Sequence, residues 1–565
     1  MKRETKRICV LASFLVGVGG AGPSAAQEAP LAQLPDSVAE RVVAFFNRPT
    51  TIRLTGEFRL VQGATLNGDV VGLGGPLVIR GRIEGEVMVI NGDLELGPGG
   101  EITGAVTVVG GQLTNRGGRI TGATAEYREP LRFRHDADGI VLAQEPFETE
   151  LSAGREFGFG RTDFLIAARG DYNRVEGLPI AFGPRVRIGR SNPTLLEGFA
   201  IYRSASGLRI DPDEMGYLLR AEQYMGGGLT ARLGLTLYSE ITPIERRGLS
   251  DRENALSTFI LHEDQRDSYE REGWSAYLRF ARAGWPHDWT VEYRNERHRV
   301  VSPAGPWSLF DNDEEWRAQP LIGEGTLRTI ATRFVYDTRN EVADPATGWH
   351  VTFNLEQGLG GRLTQPGFSP SEFGQDTTVT PPTGAREKFS AGSLDIRKYA
   401  RLGPTTRAAV RFFAAGSVDG TPLPPQRQRT LGGEGSIPGF GQFEFDCGAR
   451  QNSVIVNATV FFPYYGCDRI ALLQLEYQAA LPFFERLSLP DVGLEFPVRW
   501  IVFFDTGRAW VEPDALSGRQ RGRSGFSSDA GVGLRVGGIG AYLAAPLSRS
   551  SGDGLNFFIR LGRRL

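Results

Sequence analysis

The residue types that most often perform catalysis are sparse in this chain of 565 residues. None of the five histidines has a partner at the spacing of a metal site or a catalytic triad. Neither a CxxC nor an HExxH motif occurs in the sequence. The residue types therefore predict that the protein is not an enzyme and that it has no cofactor, no metal and no catalytic residue. The histidines are His135, His262, His287, His298 and His350.

Two segments have the composition of ligand-binding loops. Residues 432–435 are rich in glycine, but no Lys-Ser or Lys-Thr pair follows them, so they do not form a phosphate-binding loop. The acidic run at 311–315 offers carboxylates that Ca²⁺ would accept. Such runs are more often solvated loops, and we interpret this one in that way, with a calcium site as the alternative.

The candidate functional residues fall in one segment, residues 426–450, which lies between two runs of alternating apolar residues. It combines many glycines with leucine, isoleucine and phenylalanine, and it carries both signs of charge. An ordinary surface loop of this length is solvated and variable in shape. This composition instead predicts a loop that folds back into a confined space. Its candidate contact residues are Glu434, Ile437, Pro438, Gly439, Phe440 and Arg450.

Charged residues also occur within the alternating runs on either side of that segment. We predict that they line the inner wall around the loop as paired charges, because an unpaired charge in such a place is costly. The predicted wall charges are Asp337, Arg339, Glu476, Asp505 and Arg508.

The first residues predict export from the cytoplasm. Residues 1–26 combine four basic residues, a short apolar run and small residues before Gln27, as in a cleaved secretory signal peptide. An uncleaved membrane anchor is the alternative, although the apolar run is too short to span a bilayer. In an export compartment Cys447 and Cys467 can form a disulfide. Two buried free thiols are the alternative.

Charge and hydropathy restrict the partners and the way in which the chain can enter a membrane. Without residues 1–26 the formal charge falls from −3 to −6, which argues against a nucleic-acid partner. No later segment has 18 consecutive apolar residues, so the sequence predicts no transmembrane helix. If the mature chain enters a membrane, it must do so as a closed barrel, because lipid cannot pair an open sheet edge.

A repeat of about 18 residues precedes the long alternating region. After a linker at residues 27–55, in which Ser37 and Glu40 predict the capping box of a short helix ending near Phe46, an apolar-x-Gly-x tetrad recurs. Its intervals are 17, 19 and 18 residues. Short β-branched strands with glycine corners at a fixed period predict a stacked β-solenoid over residues 56–125. A glycine-rich linker is the alternative.

Residues 151–565 show the alternation of transmembrane strands, and residues 126–150 form a polar connector to them. Leu229, Ala231 and Leu233, for example, alternate with polar residues or glycine. A soluble sandwich would give the same period with its apolar face inward. The signal peptide, the charged faces and the tryptophans near strand ends favour a membrane barrel. We predict an all-β protein: a transmembrane antiparallel β-barrel of about 16 strands with a small N-terminal periplasmic β-solenoid.

Several motifs resemble those of known families. Residues 60–125 resemble bactofilins in pattern. Residues 160–565 resemble the bacterial surface antigen superfamily, which includes barrel-assembly insertases and two-partner secretion transporters. The motifs are 172–178 (YNRVEGL), 336–339 (YDTR) with 344–348 (DPATG), 431–433 (LGG) with 437–440 (IPGF), 503–510 (FFDTGRAW) and 558–562 (FIRLG).

The resemblance implies a function in outer-membrane biogenesis, by protein insertion or translocation. It implies a location in the bacterial outer membrane with the N-terminal domain in the periplasm, and lipid and client polypeptides as partners. Two departures matter. Pro438 stands where the family's inward-folded loop carries an arginine, and the repeat array stands where family members carry polypeptide-transport-associated domains. The alternative is therefore a passive pore or structural anchor that the solenoid tethers or that self-associates through it.

Overall fold

The computed structural model describes the chain from residue 34 to residue 565, with internal gaps. The predicted signal peptide lies outside the described residues. The gaps are 35, 49, 128–130, 132, 137–138, 143–150, 158–159, 171, 190–191, 207–214, 226–230, 282–285, 311–312, 340–343, 365–385, 404, 443, 446, 448–453, 457–458, 463–465, 482–485, 490–493, 512–524 and 549–553.

The described part begins with one helix and a set of short strands. Helix α1 spans Asp36–Asn47, so the predicted capping residue Ser37 lies inside the helix rather than before it. The strands that follow are β1 Ile52–Thr55, β2 Phe58–Leu60, β3 Thr65–Asn67, β4 Val70–Leu73, β5 Leu77–Ile79, β6 Arg82–Glu84, β7 Val87–Ile90, β8 Leu94–Leu96, β9 Glu101–Ile102, β10 Val106–Val109, β11 Leu113–Asn115, β12 Arg119–Ile120 and β13 Thr124–Tyr127.

These strands form the predicted β-solenoid, with three parallel sheets as its faces. One sheet has the order β1-β4-β7-β10-β13, a second β11-β8-β5-β2 and a third β12-β9-β6-β3. Ile83 lies beside Leu66 on one side and beside Ile102 on the other. Each repeat interval in the sequence is therefore the number of residues in one coil of the solenoid.

Glycine occupies the tetrad position because successive coils touch there. A Cβ added to Gly85 would lie 2.3 Å from the carbonyl oxygen of Gly68, and one added to Gly104 would lie 2.3 Å from that of Gly85. No side chain fits at such distances. Inside the coils Val89, Leu94 and other aliphatic side chains form one continuous buried core.

Helix α1 covers the outside of the five-stranded face of the solenoid. Val42 and Phe45 of the helix pack against Val71, Met88 and Ile90 of the strands. Strands β4 and β7 are consequently buried on both faces. This explains why they read as continuous apolar runs rather than as alternating ones.

The rest of the chain is dominated by one large antiparallel sheet. It is preceded by a hairpin, β14 Phe133–Asp136 and β15 Gly139–Leu142, and interrupted by helix α2 at Asp251–Leu261. The strands are β16 Leu151–Phe157, β17 Gly160–Ala168, β18 Pro179–Ile188, β19 Thr194–Arg203, β20 Gly216–Met225, β21 Ala231–Pro243, β22 Ser268–Ala281, β23 His287–Arg299, β24 Gln319–Pro320, β25 Glu324–Asp337, β26 Gly348–Thr364, β27 Ser390–Arg401, β28 Thr406–Ser417, β29 Val454–Val456, β30 Thr459–Phe462, β31 Arg469–Ala480, β32 Arg486–Leu489, β33 Leu494–Trp510, β34 Ser527–Val536, β35 Ile539–Pro546 and β36 Asn556–Leu561.

The large sheet runs from β16 to β36 almost in chain order and has 18 strand segments among the described residues. Segments β31 and β32 both lie along β33, so they are successive parts of one strand position. Strands β24, β29 and β30 form a separate three-stranded sheet. The prediction of an all-β antiparallel barrel of about 16 strands with an N-terminal solenoid is confirmed.

The apolar residues of the large sheet face outward. Leu233, Leu235 and Leu237 of β21 are exposed, whereas Thr236 and Tyr238, at even-numbered positions of the same strand, are buried. This is the reverse of a soluble sandwich, in which the apolar face is inside. It is the arrangement of a sheet whose outer face meets lipid and whose inner face lines a polar lumen.

The solenoid contacts one end of the barrel, which we call the solenoid-side end. Asp93 accepts a hydrogen bond from the hydroxyl of Thr347 at 3.2 Å and lies 3.8 Å from the guanidinium of Arg401. Gln112 donates to the carbonyl of Thr338 at 3.4 Å. Burial raises the pKa of the Asp93 carboxyl, and Arg401 opposes that rise. The opposite, far end carries α2 and the long connections.

Helix α2 is fixed at the far end by its own cap and by its neighbours. Ser250 accepts a hydrogen bond from the backbone of Glu253, whose carboxylate accepts from the backbone of Ser250, which completes a capping box. The carbonyl of Phe259 accepts from the backbone of Leu309, which lies in the connection between β23 and β25. No helix among the described residues is long and apolar enough to cross a membrane.

Candidate functional site: the loop inside the barrel

The segment between β28 and β31 enters the barrel, and residues 426–430 form its neck. Arg427 makes a two-point contact with the carboxylate of Glu356 on β26, at 2.8 and 2.9 Å, and donates to the hydroxyl of Tyr269 at 2.9 Å. Gln426 donates to the carbonyl of Gly323 at 3.0 Å. Such two-point Arg–carboxylate contacts are strong and fix orientation. The neck is therefore tied to walls far from its own strands.

The loop reverses direction at its glycines. Gly432 and Gly433 have φ values of 102° and 79°, which favour glycine. The hydroxyl of Ser436 donates to the carbonyl of Gly432 and accepts from its amide, at 2.8 and 2.9 Å. Gly433 donates to the carbonyl of Phe440 at 3.0 Å. These short-range bonds make residues 432–440 a compact unit, which we call the loop tip.

An apolar seat holds the loop tip. Leu431 and Ile437 are fully buried and Phe440 is nearly so. They pack against wall residues of β28, β31 and β33, among them Ile470 and Leu472. The sequence placed these apolar residues in a confined space, and the structure shows that the space is the inside of the barrel.

Polar contacts from the last strands complete the seat. The amide of Gly439 donates to the carboxylate of Asp529 on β34. Asn556 on β36 donates to the carbonyl of Pro438 at 3.1 Å. Arg560, also on β36, donates to the carbonyl of Glu434 at 3.2 Å. The tip thus bonds to the wall through its backbone, so a side-chain substitution within the tip does not remove these bonds directly.

A buried ion pair links the far end to the last strand beside the loop tip. The guanidinium of Arg560 contacts both carboxylate oxygens of Glu253 in α2, at 2.7 and 3.1 Å. Burial raises the pKa of the nearby Glu434 carboxyl to about 7, and Arg560 opposes that rise. The loop tip therefore carries one carboxyl that titrates close to neutral pH.

A second buried ion pair lies below the loop tip, toward the solenoid-side end. Arg564, in the residues that follow β36, contacts Asp505 at 2.6 Å and Glu476 at 3.1 Å. All three side chains are withdrawn from solvent. Asp505 and Glu476, two of the residues that the sequence analysis placed on the inner wall, thus pair with Arg564 from residues 562–565.

The two sides of the lumen differ in how they are filled. On the filled side, formed by β28, β31 and β33–β36, the loop tip, Arg564 and the stacked rings of Tyr542 and Phe558, 5.0 Å apart, occupy the interior. On the open side, formed by β20–β27, a cavity of about 420 Å³ remains. Charged residues line it: Arg169, Arg220, Arg271, Arg279, Arg294, Arg333, Arg427, Arg429, Glu222, Glu240, Glu292 and Glu356.

Most of the open-side charges pair with one another. Arg169 contacts Glu240 at 2.7 Å, and Arg294 contacts Glu292 at 2.5 Å. In the described part of the chain no group of three or more His, Cys, Asp or Glu residues is arranged to hold a metal ion. The cavity therefore has polar, paired walls and free space, which suits passage or lodging of a polar segment.

The remaining predicted wall charges lie elsewhere. Arg508 is on the outer face of β33, with its guanidinium 5.3 Å from the ring of Trp510, so its prediction as a lumen charge is wrong. The reason is the period of two: positions 505 and 508 are three apart and must face opposite sides. Asp337 and Arg339 do pair, at 2.6 Å, but at the solenoid-side end.

The contact residues predicted for the loop meet different parts of the barrel. Glu434 meets Arg560 through its carbonyl. Phe440 packs in the apolar seat. Arg450 and Phe443 lie outside the described residues. Residues 311 and 312 of the acidic run also lie outside the described residues.

A disulfide joins the end of the loop to the wall. The sulfurs of Cys447 and Cys467 are 2.01 Å apart. The backbone of Cys467 exchanges hydrogen bonds with that of Arg429 at 2.7 and 2.9 Å. The two ends of the loop therefore lie side by side, with the disulfide next to the neck.

The most important contacts of the site come from residues that the sequence analysis did not select. Arg427, Asp529, Arg560 and Arg564 all bond to the loop or to the wall beneath it. One signal was available for two of them: Arg560 and Arg564 belong to a basic cluster at residues 560–564, at the end of the last alternating run. The partner of each could not be read from spacing.

The comparisons with known proteins agree with this architecture. The class defined by an outward-facing apolar sheet and a polar, loop-filled lumen is the outer-membrane β-barrel. The Omp85 superfamily domain matches residues 231–555, more than half of the chain. The chain therefore belongs to the Omp85 superfamily, and is an outer-membrane protein of that family. No curated protein matches the sequence of the chain.

The chain is also similar to two solved structures. CdiB from Escherichia coli is 13% identical with a TM-score of 0.31, over 76% of this chain and 67% of that one. CdiB from Acinetobacter baumannii is 11% identical with a TM-score of 0.28, over 71% of this chain and 59% of that one. The chain thus spans somewhat more than half the length of the second of these structures.

Proposed function

We propose that this protein acts in outer-membrane biogenesis by inserting or translocating client polypeptides, through a barrel that its own inner loop closes. Membership of the Omp85 superfamily supports a role of this class. The observation that carries the proposal is the loop itself, which crosses the lumen from Glu356 on one wall to Asp529 on another. The solenoid would lie in the periplasm and the outer face of the sheet in lipid.

The way in which the loop is held suits a closure that can open. Its wall contacts are separate hydrogen bonds and ion pairs around a small apolar seat. A passing polypeptide has the same kinds of donor and acceptor, so it can replace these contacts without leaving buried groups unpaired. The open side provides about 420 Å³ beside the loop, in the size range of binding clefts.

The test is the conductance of the purified protein in planar bilayers. We expect a low conductance that increases in a variant lacking residues 426–445, because the barrel remains and its closure is removed. The matched comparison is a variant lacking residues 27–150, which removes the solenoid and leaves the loop. A deletion of the loop that leaves the conductance unchanged would contradict the proposal that this segment closes the barrel.

A second function is favoured by the end of the solenoid. Strands β11, β12 and β13 end their sheets, and the residues of β13 alternate between exposed and half-buried. Such strand ends can pair with another copy. We propose as the alternative that the solenoid tethers the barrel or self-associates. Sedimentation should then show a larger oligomer for the detergent-solubilised full chain than for the variant that lacks residues 27–150. If both proteins sediment as monomers, the result argues against self-association.

A further inference from the structure

Three carboxylates come together on the filled side of the barrel. Asp505 on β33 and Asp529 on β34 lie directly opposite each other across the strand pair. Glu476 lies on β31, the other neighbour of β33. All three side chains are buried. Opposed like charges destabilise a strand pair, and buried charges need a partner, so this group requires a cation.

Arg564 supplies that cation with its whole guanidinium. Its Nη1 contacts Asp505 at 2.6 Å, its Nε contacts Glu476 at 3.1 Å and its Nη2 donates to the carbonyl of Leu475 at 3.5 Å. The planar group also lies over the ring of Phe503, 4.1 Å from its centroid. Bonds to two carboxylates and a carbonyl, together with stacking on a ring, are the features of a site shaped for a guanidinium.

The arginine reaches this place because the chain turns back into the barrel after β36. Gly562 has a φ of 108°, which favours glycine. Leu565 packs against Tyr399 and Ala409 on the far side of the turn. The adjacent Arg563 points elsewhere, contacting Asp344 at 2.9 Å near the solenoid-side end. The neighbouring arginine therefore provides a natural control.

Arg564 is coupled to the loop tip through the paired aspartates. Asp529 accepts the hydrogen bond from the amide of Gly439 through one carboxyl oxygen, so the position of Asp529 decides whether the tip is held. With Arg564 in place, Asp505 is paired with a cation, and Asp529 accepts the hydrogen bond from the loop. Without it the buried carboxylates of Asp505 and Glu476 lose their cation, so they must bind protons, admit water or move on the strands beside Asp529. Each of these changes weakens the acceptor on which the tip rests.

We propose that Asp505, Glu476 and Phe503 form a guanidinium-binding site on the inner wall, that the chain fills this site with its own Arg564, and that its occupancy holds the loop tip on Asp529. Arg564 is then a positioning residue for the closure of the barrel. The inference does not require that the barrel moves polypeptides, because it concerns only how the closed loop is held.

The test is proteolysis of the loop in reconstituted vesicles. Glu434 is half-buried in the closed loop, whereas Glu444 in the same segment is exposed and serves as an internal reference for a glutamate-specific protease. We expect Arg564→Ala to increase the rate of cleavage at Glu434 relative to Glu444 about tenfold or more, as a 1.4 kcal/mol change in the opening equilibrium would. Arg563→Ala should leave this ratio unchanged.

Chemical rescue distinguishes a guanidinium site from a general packing role of the last residues. Ethylguanidinium added to Arg564→Gly should restore slow cleavage at Glu434, and ethylammonium at the same concentration should restore it less. Equal cleavage ratios in the Arg563 and Arg564 variants, or a variant insensitive to ethylguanidinium, would overturn the proposal. If Arg564→Gly does not fold, refolding with ethylguanidinium decides: a heat-modifiable barrel only in its presence supports the site, and failure in both conditions overturns it.

Discussion

The two sides of the lumen are built from the same kinds of strand but are filled differently. On the filled side Asp505 pairs with Arg564, and Asp529 accepts a hydrogen bond from the loop tip. The stacked rings of Tyr542 and Phe558 fill the remaining space. On the open side arginine and glutamate side chains pair along the wall and leave a cavity. The same charged residue types therefore either hold an inserted segment or line free space, depending on what else occupies the interior.

This difference indicates which ion pairs stabilise the closed barrel. Ion pairs that retain access to water, such as Arg294 with Glu292, contribute little to stability. Buried pairs such as Arg560 with Glu253 are strongly destabilising to break, because one charge is left without a partner. Substitutions on the filled side should therefore disturb the fold and the loop, whereas equivalent ones on the open side should not.

The largest effect is expected from Arg560→Ala. It leaves the buried carboxylate of Glu253 unpaired and removes the donor to the carbonyl of Glu434, so we expect a loss of about 3–5 kcal/mol in stability. The matched open-side change, Arg294→Ala, should cost about 0–1 kcal/mol. The free energy of unfolding of both variants is measured by denaturant titration in detergent. The folded fraction is monitored by the heat-dependent shift of the barrel in gel electrophoresis. Similar losses in the two variants would remove the distinction between the sides.

Phe440→Ala should loosen the loop more than Pro438→Ala. Truncating a buried phenylalanine costs about 3–5 kcal/mol, and we expect the lower end because the loop can relax toward the open side. Pro438 is held through its carbonyl, which the substitution keeps. The relative rate of proteolysis at residues 426–445 in vesicles measures the change. Equal cleavage of wild type and both variants would place the loop outside the lumen.

The disulfide should tighten the neck of the loop by a smaller amount. Cys447 and Cys467 are 20 positions apart, and closing a loop of that size stabilises by up to about 3 kcal/mol. Reduction should increase protease access near the neck and leave the open-side walls intact. Peptide mapping without reduction checks the bond itself, and free alkylation of both cysteines would show that it does not form in the exported protein.

The smallest expected effect is a dependence on pH. The pKa of Glu434 is about 7 in the seated loop and lies lower in a released one, so the released loop loses its proton first as pH rises. Seating is therefore most favourable at low pH and weakens as pH rises from about 4.5 to 7. Cleavage around the neck, relative to cleavage at the exposed Glu444, should be faster at pH 8 than at pH 5.5, and Glu434→Gln should flatten this difference. An unchanged pH profile in that variant would assign the effect to another group.

The solenoid shows how far sequence reasoning reaches when contacts are regular. Each tetrad glycine touches its counterpart one coil away. The intervals of 17, 19 and 18 residues are therefore the numbers of residues in successive coils. The barrel strands could also be predicted, because the alternation of apolar and polar residues indicates that the two faces of the sheet differ. Alternation by itself leaves open which face is inside, and the exposure of Leu235 beside the buried Thr236 settles it.

The candidate site was only partly readable. The composition of residues 426–450 predicted an enclosed loop with apolar anchors, and the structure has Ile437 and Phe440 in that role. The pairing partners were missed because they are remote: Arg427 meets Glu356 71 positions earlier, and Arg564 meets Asp505 59 positions earlier. The misassigned Arg508 was avoidable, because counting by twos from Asp505 places it on the outer face.

The sequence by itself determined everything that depends on local repetition: the period of the solenoid, the antiparallel alternation of the barrel and the enclosed character of the loop. Those features follow from neighbouring residues that share a face or a corner, which fixes them within a few positions along the chain. Only the tertiary structure decided which charges meet inside the barrel. Closing the sheet brings β26, β34 and the residues after β36 around one lumen, and the position of each charge there depends on the curvature and stagger of the whole sheet rather than on its sequence neighbours.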